Sequence, residues 1–120
     1  MNMIVCFKQI LDPEMPPASF KIDAAANKVV HPQGVSFVIS DFDEIAIEAA
    51  LRIKDAQGGS ITGLSLGINL QRDVVKKPLS MGADELILLE DEAFVDGDSW
   101  STAYALAMAI KKIGDYDLIL

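Results

Sequence analysis

Three apolar runs of strand length constrain this chain most, because each follows a segment that ends on glycine. "SITGLSLG" (Ser60 to Gly67) follows Gly58 and Gly59, "ELILLE" (Glu85 to Glu90) follows Gly82, and "DLIL" (Asp117 to Leu120) follows Gly114. An earlier run, "MIVCF" (Met3 to Phe7), opens the series. Strands that alternate with helices need crossovers, and crossovers produce a parallel sheet covered on both faces. The continuous apolar centre of "ELILLE" suits such a sheet. The expectation is a single α/β domain over residues 1–120, with an open, mostly parallel, Rossmann-like sheet and helices on both faces. "FKIDAAANKVV" (Phe20 to Val30) adds a small N-terminal hairpin, after a proline-rich loop from Lys8 to Ser19.

The helices have readable ends. Ser40 or Asp41 can cap the first, with Asp43 or Glu44 three residues on, the capping-box spacing. Phe42, Ala46, Ala49, Ile53 and Ala56 share one face of it, and Glu48 precedes Arg52 by four residues. Leu70, Val74, Val75 and Leu79 mark a second helix, which Pro78 should bend by removing a backbone donor. Asp98 or Ser99 caps a third, with an apolar stripe of Ala103, Leu106, Ala107, Ile110 and Ile113.

Composition enters by exclusion. A formal net charge of −8 disfavours nucleic acid and anionic membranes as partners. One cysteine and one histidine exclude a disulfide framework and a structural zinc site, and fit a reducing, cytoplasmic setting. The start "MNMIVCFKQI" is too short and too strand-like for a signal peptide. No apolar run approaches a membrane span, so the chain is not membrane-embedded.

In open α/β sheets, ligands bind beyond the carboxyl ends of the strands. Here those ends are Cys6 to Lys8, Ser65 to Gly67, and Glu90 to Asp91, with Ser40 to Asp43 near the first. No Walker loop or glycine triplet offers a phosphate cradle. Asp41, Asp43 and Glu44 crowd the first turn of the first helix, where they serve the helix's own dipole and free N–H groups. A phosphate there meets three carboxylates, so this segment suits a base or ribose and the phosphates go elsewhere.

Plainer readings stand beside these. Cys6 on an apolar strand reads first as a small buried hydrophobe. Ser40 and Asp41 are ordinary caps, and Lys8 is a solvated charge. Asp96 and Asp98 in "VDGDS" make a distant turn and cap before they make a metal site. No nucleophile–base pair is visible.

"IVCFKQILD", "DFDEIAIEAALRIKD", "ITGLSLG", "LSMGADELILLED" and "WSTAYALAMAIKKIGDYDLIL" together resemble the electron transfer flavoprotein beta subunit, including its nitrogen-fixation and electron-bifurcating relatives. The similarity covers nearly the whole chain, in order. It implies an adenine-nucleotide-binding α/β fold and pairing with an alpha subunit. It implies FAD held with or by that partner, and AMP or a second FAD in this subunit. Electrons then pass from dehydrogenases or a nicotinamide cofactor to an acceptor, so the chain is a carrier and not an independent enzyme. Family nucleotide contacts carry over to Cys6, to Ser40, Asp41, Phe42 and Asp43, and to Leu66. The chain departs from the family at Ser40-Asp41, where Asn-Pro is usual, and at Pro78. Family members run about twice as long, so an N-terminal part of a longer protein is expected, with a phosphate-binding loop after Leu120. The alternative is a flavin-free adenine-nucleotide module of the stress-protein or sensor type.

Overall fold

The computed structural model describes residues 1–120, and its core is the expected parallel sheet. Strand β1 (Asn2–Cys6) is followed by β2 (Gln9–Leu11), β3 (Lys21–Asp23), β4 (Lys28–Val30) and β5 (Phe37–Ile39). Helix α1 (Asp41–Gln57), β6 (Ser60–Gly67), α2 (Arg72–Val75), α3 (Lys77–Met81), β7 (Glu85–Glu90), α4 (Ser99–Ile113) and β8 (Leu118–Ile119) complete the chain. The main sheet has the order β7-β6-β1-β8 with every neighbouring pair parallel. The chain steps outward from β1 to β6 to β7, then returns through α4 to the other side of β1. That reversal creates a switch point beside β1.

Side chains alternate between the two faces, as a pleated strand requires. Met3, Val5 and Ile61 pack against Ile47 and Ala50 of α1. Ile4 and Leu64 pack against Ile110 of α4 on the opposite face. Burying each large aliphatic side chain here is worth about 1.5–3 kcal/mol. Strand β7 is a sheet edge, yet Leu86 and Leu88 pack on one face and Ile87 and Leu89 on the other. Gly59 is required at the start of β6, because a Cβ there would lie 1.9 Å from the carbonyl oxygen of Met1.

Several expectations change. The faces of α1 and α4 are turned from those the spacing suggests. Phe42 is 82% exposed and Ala56 is exposed, while Ile47 and Ala50 are fully buried. In α4, Ala103 and Ala107 face solvent with Trp100, Tyr104 and Met108, and Leu106, Ala109, Ile110 and Ile113 meet the sheet. Both helices carry apolar residues on several sides, so sheet packing decides the rotation. Pro78 does not bend one helix. The helix ends a turn earlier, and Pro78 occupies the first turn of a new one, where its missing N–H has no consequence.

Strands β2 and β5 lie in stretches that showed no strand signal, and they pair antiparallel, Gln9 with Ile39 and Leu11 with Phe37. The expected hairpin forms from β3 and β4, but every residue from Lys21 to Val30 is exposed. It projects from the body, and the radius of gyration is 15.5 Å, against about 13.6 Å for a compact chain of this length. No helix is long and apolar enough to cross a membrane.

Candidate functional site

A cleft of about 550 Å³ opens at the carboxyl ends of β1 and β6, a volume in the range of small-molecule and cofactor sites. It lies beside the switch point, where the main-chain N–H of Cys6 donates to Leu120 at 2.8 Å. Cys6, Phe7 and Lys8 form its β1 side, and Leu66 to Leu70 form its β6 side. Phe94, Val95 and Gly97 close it from the loop before α4, with Thr102 and Leu106 from α4 itself. Gly67 fits there because a Cβ would lie 2.9 Å from Leu70 Cδ2.

Of the candidate residues, Cys6, Asp43 and Leu66 line this cleft together. Ser40, Asp41 and Phe42 are not among its lining residues. Asp41 instead borders a groove on the flank of α1 with Glu44, Glu48 and Arg52. Phe42 points into solvent. The turn around Asp96 is not distant: its neighbours Val95 and Gly97 line the cleft, and Asp96 pairs with Lys28 at 2.6 Å.

The acidic first turn of α1 also works differently from the capping reading. Ser40 occupies the cap position but its side chain makes no capping bond. Asp43 Oδ2 accepts from the main-chain N–H of Lys8 at 2.7 Å, 35 residues away. Glu44 pairs with Lys77. Two of the three carboxylates are therefore tertiary ties between α1 and its neighbours. The main-chain N–H groups of Asp41 and Phe42 have no partner in the chain. By contrast, Asp98 caps α4 as expected, accepting from Ser101 N–H at 2.8 Å.

Burial pushes the Asp43 carboxyl above its ordinary value, against the pull of the Lys8 N–H and charge. Burial, and then the charge of Asp43, push the Cys6 thiol up as well. Cys6 therefore stays protonated at neutral pH and offers a soft apolar contact in place of a nucleophile. Lys8 and Asp43 are the two charged residues of the lining, so the cleft has no basic cluster for phosphates. Glu90, Asp91 and Glu92 line a separate depression that shares Ile68, Asn69 and Val95 with the cleft. The arrangement suits an uncharged planar or sugar group among apolar walls and backbone amides.

Sequence reasoning missed the contributions of Gln9, Phe37, Asn69 and the Phe94–Gly97 loop. Gln9 lies within "IVCFKQILD" but nothing in that stretch marks its role, and the others carry no periodic or motif signal; they reach the cleft only through chain pairing and loop placement.

Comparison with known proteins gives the family. The model of the electron transfer flavoprotein domain matches residues 27–120. Ser40 to Asp43 and Leu66 lie inside that match; Cys6 and Gln9 precede it. The chain is 40% identical to the electron transfer flavoprotein subunit beta of Megasphaera elsdenii, covering 100% of this chain and 45% of that protein. It is 38% identical to Protein FixA of Azorhizobium caulinodans, covering 96% of this chain and 39% of that protein. It is 36% identical to the electron transfer flavoprotein subunit beta of Clostridium acetobutylicum, with 99% and 44% covered. The chain spans about two fifths of the length of the curated relatives it matches. On the extent of the matched domain and these identities, the chain belongs to the electron transfer flavoprotein domain family.

Proposed function

We propose that this chain is the nucleotide-holding part of an electron-carrier subunit, working in a two-subunit electron transfer flavoprotein. In this reading the cleft beside β1 takes the adenosine portion of AMP or of a second FAD. Cys6 and Leu66 supply apolar contact to the base. Asp43, the one residue of the Ser40–Asp43 segment in the cleft wall, supplies a polar contact to base or ribose. The phosphates lie away from the acidic turn. FAD held with the alpha subunit supplies the redox chemistry, and this chain's residues bind, orient and shield. Electrons come from dehydrogenases or NADH and leave to an acceptor protein.

The observation that carries the reading is a cleft of cofactor size at the sheet's switch point, in a chain of this family. Its mixed lining, with one lysine and one carboxylate, fits an adenosine group better than a polyphosphate. The test is to purify the full-length protein with its partner subunit, release bound nucleotides with acid and count them. One FAD with one AMP, or two FAD, is expected per dimer. A dimer that carries flavin in the partner alone and no adenine nucleotide in this subunit overturns the reading.

A further inference from the structure

The segment from Gly67 to Gln71 leads from β6 into α2 and forms one wall of the cleft. Its backbone is tied down by side chains from two other parts of the molecule. Gln9 Oε1 accepts from the Gln71 N–H at 2.7 Å, and Gln9 Nε2 donates to the Asn69 carbonyl at 3.4 Å. From the far side, Glu90 Oε1 accepts from the Leu70 N–H at 2.7 Å, and Arg72 holds its other oxygen at 2.6 Å. Asn69 sits at φ 51°, a left-handed conformation that asparagine adopts more readily than other non-glycine residues and that the Gln9 bond to its carbonyl helps to hold. The amides of Ile68 and Asn69 have no partner in the chain, and both residues are exposed. The wall thus has two free N–H groups, at Ile68 and Asn69, followed directly by two anchored ones, at Leu70 and Gln71.

Gln9 holds this wall from β2. Its neighbour Lys8 holds the start of α1, donating to Asp43 and accepting from the Ser40 N–H at 3.1 Å. Two successive residues therefore join the β2–β5 ribbon, the entry of α1 and the β6–α2 wall around one opening.

We propose that Gln9 is a positioning residue: its side-chain amide holds the Gly67–Gln71 wall in its ligand-facing shape and so sets how long a nucleotide stays in the cleft. This rests on the nucleotide-binding reading above. Without the amide, Gln71 N–H turns to water and Asn69 is released from its left-handed conformation. The free amides of Ile68 and Asn69 then lose their direction, and the wall opens. Glu90 still anchors Leu70, so the fold persists while the wall loosens.

The test uses the full-length chain in complex with its partner subunit. Gln9→Met keeps the length of the side chain and removes both hydrogen bonds. Gln9→Glu keeps the acceptor for Gln71 N–H and removes the donor to Asn69. Hydrogen exchange at Gln71 and the release rate of bound nucleotide should both rise about tenfold in Gln9→Met, the loss expected for one net hydrogen bond. Gln9→Glu should restore most of the exchange protection at Gln71 and leave release between wild type and Gln9→Met, because its second oxygen faces the Asn69 carbonyl, with melting temperature little changed in either variant. Unchanged release from Gln9→Met, in a complex whose wild type carries nucleotide, overturns this inference and leaves the reading above intact. A wild type with no nucleotide overturns that reading, and exchange at Gln71 then judges the positioning role of Gln9 alone: no acceleration in Gln9→Met overturns it. Equal losses of melting temperature and retention in both variants also overturn it, because they mark a purely structural role.

Discussion

Asp43 and Lys8 are joined by a 2.7 Å hydrogen bond from the Lys8 main-chain N–H to the Asp43 carboxylate, across 35 residues of chain. This bond sets α1 against the end of β1 and puts the carboxylate in the cleft wall. An acid that the sequence assigns to its own helix is spent on tertiary structure.

Asp43 gives a pH test. Its folded pKa lies above the ordinary 3.8, with burial the main cause. A raised carboxylate pKa means that the folded state binds the proton more tightly than the unfolded state. Stability therefore falls as pH rises from the ordinary carboxylate value through the raised one. Asp43→Asn keeps an acceptor for the Lys8 N–H and removes this decline. The urea midpoint of the variant minus that of wild type should grow as pH rises from about 4 to about 7. Parallel curves would show that Asp43 is not strained by burial.

Asp84 should behave with the opposite sign. Lys54 binds both its oxygens at 2.7 and 2.8 Å, and the Ile61 N–H donates to one at 2.8 Å, which lowers its pKa. The stability it contributes is present above the ordinary carboxylate value and is lost as pH falls through the lowered one. Asp84→Ala should destabilise the protein by about 1–2 kcal/mol at neutral pH, chiefly by stranding the Ile61 N–H. The difference from wild type should shrink in acid. A constant difference across pH would refute the linkage.

Ser65 is fully buried in β6 and its hydroxyl makes no hydrogen bond. An unpaired buried hydroxyl is a net cost. Ser65→Ala should raise stability by about 1 kcal/mol in chemical denaturation. A loss of stability would mean that the hydroxyl is satisfied by a buried water.

Cys6 is expected to alkylate slowly. Its thiol pKa is raised by burial first and by Asp43 second, which lowers the thiolate fraction at neutral pH. Iodoacetamide should modify it far more slowly in the folded protein than in urea. Asp43→Asn should speed the reaction only modestly, since burial is the larger cause. Equal rates in the folded and unfolded chains would sink this account.

The charge of the cleft predicts ligand preference. With Lys8 the one cation in the lining, phosphates gain little from residues 1–120. Adenosine and AMP should bind this stretch with similar, weak affinity, on the order of millimolar or about 4 kcal/mol. Calorimetric titration decides it: micromolar AMP with weak adenosine would mean that a phosphate site exists within these residues.

Much of the architecture is legible in the sequence, because it rests on local chemistry. Strands β6 and β7 begin and end where the apolar runs do, and Gly58, Gly114 and Asp98 mark helix ends through backbone geometry and capping. The alternation of these elements is enough to specify a parallel sheet. The strand-end rule points to Cys6 to Lys8, Ser65 to Gly67 and Glu90 to Asp91, because it depends only on chain order and the direction of the strands; the cleft is lined from the first two of these.

Tertiary structure decided the rest. Strands β2 and β5 have three residues each and exist only because they pair with each other across 26 or more residues of chain; no local pattern that short can declare itself. Helix α1 has apolar side chains on several sides, so the sheet chose Ile47 and Ala50 over Phe42. Asp43 left its own helix for the Lys8 N–H. Gln9 reached the β6–α2 wall, and the Phe94–Gly97 loop folded over the cleft. In each case the deciding energy is a contact between residues distant in sequence, which no window along the chain contains.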